Sequence, residues 1–257
     1  MNDSVLKTLS VSFAVCFFCS LIVSYAAVSL REAQNLNKLN DQRVKILKVA
    51  AIYDPTQAVE DQFELLTPKF VDFSSGKLLD SYEGFDIDVY DPVYYSKQAQ
   101  FSTPIPSKED IAVVKSKENI GKIYLLKDAD NNLQKIILPI RGYGLWGTLY
   151  GYIAIDKDLN TIRGLEFYEH KETPGLGAEV DNPKWKALWN GKKIYKDGLI
   201  KISVIKGKVN PSNKLADYQV DGLSGATLTS RGVTNMLAFW FSESGYRETL
   251  NQINYDS

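Results

Sequence analysis

Three short segments hold residue types and spacings that could bind a ligand. The run Asp221-Gly222-Leu223-Ser224-Gly225-Ala226-Thr227-Leu228-Thr229-Ser230 mixes small residues, which let a ligand approach the backbone, with hydroxyl donors. It stands immediately before a stretch of helical periodicity, and a helix N-terminus offers unpaired N–H groups and the positive end of the helix dipole. Together these make an anion site, most naturally for phosphate; the same composition also suits a loop that only caps the helix. A second run, Glu169-His170-Lys171-Glu172-Thr173-Pro174-Gly175-Leu176-Gly177, closes a strand. Its Gly175 and Gly177 permit unusual backbone angles or contact with a flat ligand, and otherwise read as a structural turn. The third, Arg141-Gly142-Tyr143-Gly144-Leu145-Trp146-Gly147, could lay Leu145 and Trp146 against an aromatic ring, although a tryptophan is by default a core residue.

The remaining inventory narrows the chemistry. The chain of 257 residues has one histidine, His170, and two cysteines, Cys16 and Cys19, both inside an apolar run. Zinc sites draw on three or four His or Cys ligands, so a zinc centre is not expected. A Ser-His-Asp or Cys-His hydrolase would have to route every proton transfer through His170. Lys and Arg number 30 against 31 Asp and Glu, with no sustained basic stripe, which disfavours a nucleic-acid partner. The one G-x-G-x-x-G spacing, Gly142-Tyr143-Gly144-Leu145-Trp146-Gly147, leads into the strand expected at 149–155 and does not open a helix, so it is no dinucleotide fingerprint and nicotinamide chemistry belongs elsewhere. What remains is a protein that borrows its chemistry from a cofactor or has none.

The elements that must position these segments follow from patterning. Residues 8–30 carry no charge; at about 1.5 Å per residue they span roughly 34 Å as a helix, enough for a hydrocarbon core of about 30 Å. They read as one transmembrane helix after a short tail, 1–7. A cleaved signal peptide is the alternative, with Ser24-Tyr25-Ala26 as a small-x-small site, but the apolar stretch exceeds the usual length of about 7–15 residues. It holds no carboxylate, so the chain does not itself form an ion path. Cys16 and Cys19 sit three apart at membrane depth, where they pack, or serve a metal or cluster shared with another subunit. Arg31, Lys38, Arg43, Lys45 and Lys48 follow the segment, and the positive-inside rule taken alone would leave the large domain in the cytoplasm. Leu36, Leu39, Ile46, Leu47 and Ala50 make residues 31–50 a helical linker.

Residues 51–257 suffice for one domain. Pro55, Pro68, Pro92, Pro104 and Pro106 punctuate residues 54–110, which predicts irregular structure or short edge elements. The first convincing strand is 121–127, paired with 134–140 across a polar turn; 149–155 and 161–168 form a second hairpin. Asn182-Pro183 opens a helix that stops near Gly191, and 199–205 is one further strand. Val233, Met236, Leu237, Trp240 and Phe241 mark a helix to about Ser244, with Thr229 or Ser230 as its N-cap. The fold class is α+β, an antiparallel sheet with packed helices, preceded by one transmembrane helix.

LPIRGYGLWG (138–147), ETPGLG (172–177) and DGLSGATLTS (221–230), in that order behind a single N-terminal apolar helix, resemble the C subunit of the Na+-translocating NADH:quinone oxidoreductase. The similarity covers nearly the whole chain and is weakest across 54–110. The SGAT element in this setting is the flavinylation signature of that family and its relatives, and ETPGLG belongs to the FMN-binding domain they share. The resemblance implies that Thr227 carries FMN through a phosphoester bond between its side-chain oxygen and the flavin phosphate. The phosphate would lie beside Leu223, Ser224, Gly225, Ala226 and Thr229. Glu172, Thr173, Leu176 and Gly177, with Gly144, Leu145 and Trp146, become ring neighbours, and Lys206 a cationic partner.

The resemblance further implies a one-electron relay within a multi-subunit redox complex of the bacterial inner membrane, passing electrons toward ubiquinone, with NADH oxidised on another subunit. It places the flavin domain on the extracytoplasmic side, where a flavin transferase attaches FMN from FAD, against the charge count. The G subunit of an Rnf-type complex shares SGAT and ETPGLG, but the length and the GLWG segment favour the first family. A reading of another class is a non-redox assembly module in which SGAT only caps a helix.

Overall fold

The computed structural model describes residues 4–256, which form two units, 1–42 and 43–257. The first unit is dominated by helix α1 (Val5–Ser29), capped by the Ser4 side chain, which accepts from the Lys7 N–H. This helix buries none of its residues within the chain and is long and apolar enough to cross a membrane. It begins three residues ahead of the charge-free window, because Lys7 fits its first turn once Ser4 caps it. Helix α2 (Arg31–Val49) follows after Leu30.

Along the second unit come α3 (Val59–Phe63), β1 (Leu66–Asp72), β2 (Leu78–Leu79), α4 (Pro92–Tyr95), β3 (Ser102–Pro104), β4 (Ser116–Glu118) and β5 (Ile120–Lys127). Then follow β6 (Leu133–Tyr143), β7 (Thr148–Asp156), β8 (Ile162–Glu169), α5 (Pro183–Ala187), β9 (Tyr195–Lys196), β10 (Leu199–Ile200), β11 (Ser203–Val204), β12 (Gln219–Val220), α6 (Thr227–Trp240) and α7 (Arg247–Asp256). The main sheet has the order β2-β1-β5-β6-β7-β8, antiparallel throughout, with Ile137 opposite Ala154 and Ile153 opposite Leu165.

Period-2 alternation on β6 separates two cores. Ile136, Leu138 and Ile140 join the larger cluster with Val233, Met236, Leu237 and Trp240 of α6. Ile137, with Tyr124, Tyr152 and Ala154, packs instead against Ile46, Leu47 and Val49 of α2 and Ala50 just beyond it. A third, aromatic cluster gathers Phe70, Tyr82, Phe85, Tyr90 and Tyr95 from the proline-rich stretch.

Strand β1 is a correction to the irregular reading of residues 54–110: it runs seven residues in full register with β5, Pro68 opposite Tyr124. Strand β2 reaches β1 only at Phe70 and Val71, so Pro68 lies where one side of β1 has no neighbour and a proline is tolerated. The single strand expected at 199–205 is two. The N–H groups of Lys201 and Ile202 both donate to Ile194 O, bending the chain, so that β10 pairs antiparallel with β9 and β11 pairs parallel with β12. Helix α5 begins at Pro183 as expected, with the Asn182 side chain as its cap, but ends at Ala187, short of Gly191.

Candidate functional site

All three segments converge on one end of the main sheet. The turn 144–147 joins β6 to β7, closed by Gly144 N–H donating to Gly147 O at 2.8 Å. Strand β8 ends at Glu169 at the same sheet end and runs into the second segment. Helix α6 lies across β6 at close range: a Cβ at Gly142 would fall 2.7 Å from Met236 Cβ, and one at Gly232 3.0 Å from Gly144 Cα. Two glycines thus let helix and strand approach, which sets where the start of α6 stands against the 144–147 turn.

Glu172 joins the three segments. Its carboxylate is buried, 5 % exposed. Oε1 accepts from Leu145 N–H at 2.9 Å and Trp146 N–H at 3.1 Å, while Oε2 accepts from Thr229 Oγ1–H at 2.5 Å. Leu176 closes the remaining gap, since a Cβ at Gly225 would lie 2.8 Å from its Cδ2. Gly225 has a φ of +72°, in the left-handed region, so the backbone angle demands glycine there, while the exposed Leu176 side chain could yield to a Cβ. Gly177 is required by crowding alone: a Cβ would sit 2.5 Å from Glu172 Oε2 and 2.7 Å from Thr229 Oγ1.

The loop before α6 is fastened independently. Asp221 O accepts from Trp185 Nε1–H, and Asp221 Oδ1 from Val209 N–H, each at 2.8 Å. Gly222 N–H donates to Gly207 O, also at 2.8 Å, tying the loop to the Lys206 turn.

The N-cap of α6 is Ala226, with no side-chain cap hydrogen bond. This corrects the expectation that Thr229 or Ser230 caps the helix. Both are buried inside its first two turns, Thr229 bonded to Glu172 and Ser230 Oγ accepting from Leu223 N–H at 3.1 Å. Their hydroxyls are thus spent elsewhere, and the first amides of α6 are left without a side-chain acceptor. Thr227 opens the helix with an exposed side chain. It lines a cleft of about 200 Å³ with Lys206, Gly207, Ser230, Arg231 and Thr234.

Arg231 was not singled out in the sequence, although it stands four residues after Thr227 and therefore on the same face of the helix. An exposed hydroxyl, an uncapped helix start and two cations around one cleft fit a phosphate ester. Apolar side chains of the three segments are exposed: Leu145 at 37 %, Leu176 at 43 %, Leu228 at 50 % and Trp146 at 63 %. The default core role of Trp146 is thereby corrected, because the residue sits at the tip of a hairpin whose backbone, not its indole, is anchored. Ser224 and Thr173 are likewise exposed, and Gly144 is half-buried beside Glu172.

His170 stays peripheral: its Nε2 lies 2.9 Å from Asp181 Oδ2, and its Nδ1 accepts from Glu172 N–H at 3.2 Å. Cys16 and Cys19 are free cysteines on α1, in the other unit, and no cluster of metal-ligating side chains occurs among the described residues.

Residues 144–242 match the FMN-binding domain family, a span that runs from the 144–147 turn to the end of α6. Over 95 % of its length the chain is 45 % identical to the C subunit of the Na(+)-translocating NADH-quinone reductase of Pseudomonas aeruginosa, covering 94 % of that protein. The protein of the same name from Vibrio anguillarum is 39 % identical over 98 % of this chain and 96 % of the relative. Among solved structures, that of Shewanella oneidensis NqrC superposes with a TM-score of 0.77 at 32 % identity, over 86 % of this chain and 99 % of the other. The Na(+)-translocating NADH-quinone reductase C subunit from Parabacteroides distasonis gives 0.64 at 31 % identity, over 86 % and 96 % respectively.

Proposed function

The chain belongs to the family of the Na(+)-translocating NADH-quinone reductase C subunits, and from that premise we propose that it relays single electrons through FMN esterified to Thr227. The named relatives favour this reading over the Rnf-type alternative. FMN supplies one-electron redox chemistry when bound, and an ester through its phosphate leaves the ring's redox tuning to the surroundings.

The observation that carries the proposal is the state of Thr227: an exposed hydroxyl at the start of a 14-residue helix that no side chain caps. Thr227 Oγ1 would accept the FMN phosphoryl group from FAD on a flavin transferase: the new P–O ester bond forms as the pyrophosphate bond breaks, AMP leaves, and the hydroxyl proton is given up. Lys206 and Arg231, which share the cleft with Thr227, would offset the phosphate charge, and the first amides of α6 would supply donors to it. Ser224, Gly225 and Ala226 bring backbone rather than bulk to the ester, and Leu223 seals the loop from below. Leu145, Trp146 and Leu176, with Thr173 beside them, offer an apolar wall that excludes water from one side of a flat ring. The Thr229 hydroxyl, bonded inward to Glu172, holds the helix start, and Ser230, at the edge of the cleft, accepts from Leu223 N–H.

Helix α1 serves as a single-pass anchor in the bacterial inner membrane, with the FMN-binding domain on the extracytoplasmic side. The chain's partners are the remaining subunits of the complex, which oxidise NADH and reduce the quinone.

The decisive measurement is flavin fluorescence on a denaturing gel after co-expression with a flavin transferase. The wild-type band fluoresces and Thr227→Ala is dark. A dark wild-type band overturns the covalent attachment, and a fluorescent Thr227→Ala band moves it to another residue.

A further inference from the structure

We infer that Glu172 is a positioning residue that locks the 144–147 turn to the first turn of α6, holding Leu145 and Trp146 in fixed register with Thr227. The inference deepens the flavin reading and rests on it only for what is being positioned. A buried carboxylate is costly unless its lone pairs are met. Glu172 meets that cost with three donors from two separate elements, Leu145 and Trp146 N–H on the hairpin and Thr229 Oγ1–H on the helix.

No ion pair among the described residues includes Glu172, so it is not part of a charge network whose purpose is elsewhere. The space around it is cut to its shape. Gly144 and Gly177 flank the carboxylate, and a Cβ at either would overlap it. The two amides it holds belong to the residues whose side chains stand out from the hairpin tip, Leu145 and Trp146. Within the turn, the other backbone bond is Gly144 N–H to Gly147 O. It closes the turn but does not tie it to α6. Without the carboxylate, the tip loses its hydrogen-bonded link to the first turn of α6, while the packing at Gly142 and Gly232 still joins the hairpin to the helix that carries Thr227.

Glutamine can replace the lock without the charge: its carbonyl oxygen takes the two backbone N–H groups, and its NH2 donates to Thr229 Oγ1. Alanine cannot. The test is hydrogen exchange on the full chain in detergent, without flavin, comparing wild type, Glu172→Ala, Glu172→Gln and Thr229→Val. The amides of Leu145 and Trp146 exchange about tenfold faster or more in Glu172→Ala, return to the wild-type rate in Glu172→Gln, and speed up more modestly in Thr229→Val. The amides of Ile137 and Ile153, in the core strands, report that the fold is intact.

Wild-type exchange at Leu145 and Trp146 in Glu172→Ala overturns the inference. Should the core amides also accelerate in that variant, Thr229→Val decides: faster exchange confined to 145–146 supports the lock, and no change overturns it. On flavin-loaded protein, visible circular dichroism of the flavin band changes in Glu172→Ala and is restored in Glu172→Gln; a wild-type band in Glu172→Ala shows that the lock does not position the flavin. A wild-type chain that never acquires flavin fails the earlier reading alone, because the exchange measurement does not need it.

Discussion

Gly175 and Gly177 stand two residues apart in one turn, yet a methyl group added to each meets different physics. At Gly175 nothing lies within 4 Å of the added Cβ, and the only obstacle is a φ of +74°. Gly175→Ala therefore costs about 1 kcal/mol through backbone strain. At Gly177 the Cβ is driven into Glu172 Oε2 and Thr229 Oγ1, so overpacking makes Gly177→Ala cost roughly 1–3 kcal/mol and disturbs the Glu172 contacts as well. Urea unfolding ranks the two variants, and the visible spectrum of bound flavin shifts in Gly177→Ala only. Equal costs with both spectra unchanged would show that the crowding is relieved by repacking. At this scale the sequence was partly readable: Thr227 and Glu172 lie in recognisable motifs, and glycine spacing announced a tight turn. Which glycine serves angle and which serves space was not readable, since Gly177 is crowded by a Glu172 carboxylate that only the fold turns back onto it and by Thr229, 52 positions away on another element.

Helix α6 delivers its unpaired amides to the same cleft as Lys206 and Arg231, and this makes the element an anion receptor even without flavin. Inorganic phosphate at saturating concentration is expected to raise the melting temperature of flavin-free protein by about 2–4 °C, the equivalent of roughly 1 kcal/mol. Arg231→Ala should remove most of that rise while leaving the phosphate-free melting point nearly unchanged, because Arg231 is exposed. A rise that survives Arg231→Ala would place phosphate elsewhere on the surface. The body of α6 was legible from its 3.6-residue period, as were the hairpins β5–β6 and β7–β8 from alternation and polar turns. The start of α6 was not, because Thr229 and Ser230 look like caps in sequence and are claimed by Glu172 and Leu223 in the fold. Strand β1 was hidden for a related reason. Its proline argues against a strand until its position beside the short β2 is known.

For the whole domain, one contribution to the pH dependence of stability comes from a buried lysine of the main sheet. Lys122 on β5 is 6 % exposed, donates to Asp88 O at 3.3 Å and lies 5.4 Å from the centre of the Tyr124 ring. Burial pushes its pKa down from 10.5 to about 8, partly opposed by Asp88, Asp86 and Asp91 and reinforced by Arg43. The unfolded chain then binds more protons than the folded one between about pH 8 and 10.5. Stability from this group accordingly rises with pH across that window, and the penalty is complete below it. Lys122→Met should stabilise the domain by roughly 1–3 kcal/mol at pH 7, and by clearly less at pH 10. Urea titrations at the two pH values check this, and an equal gain at both would refute the burial cost.

The meeting of three distant segments at one sheet end has a temporal consequence. The segments that carry Thr227, Trp146 and Glu172 come together only after β6, β7 and β8 have paired and α6 has docked through Gly142 and Gly232. A nascent or misassembled chain carries the same ten-residue motif but not the surface around it. If Thr227 carries the ester proposed above, an enzyme that reads that surface would mark finished molecules and pass over the rest, and the bond would act as a certificate of assembly, issued before the protein enters service.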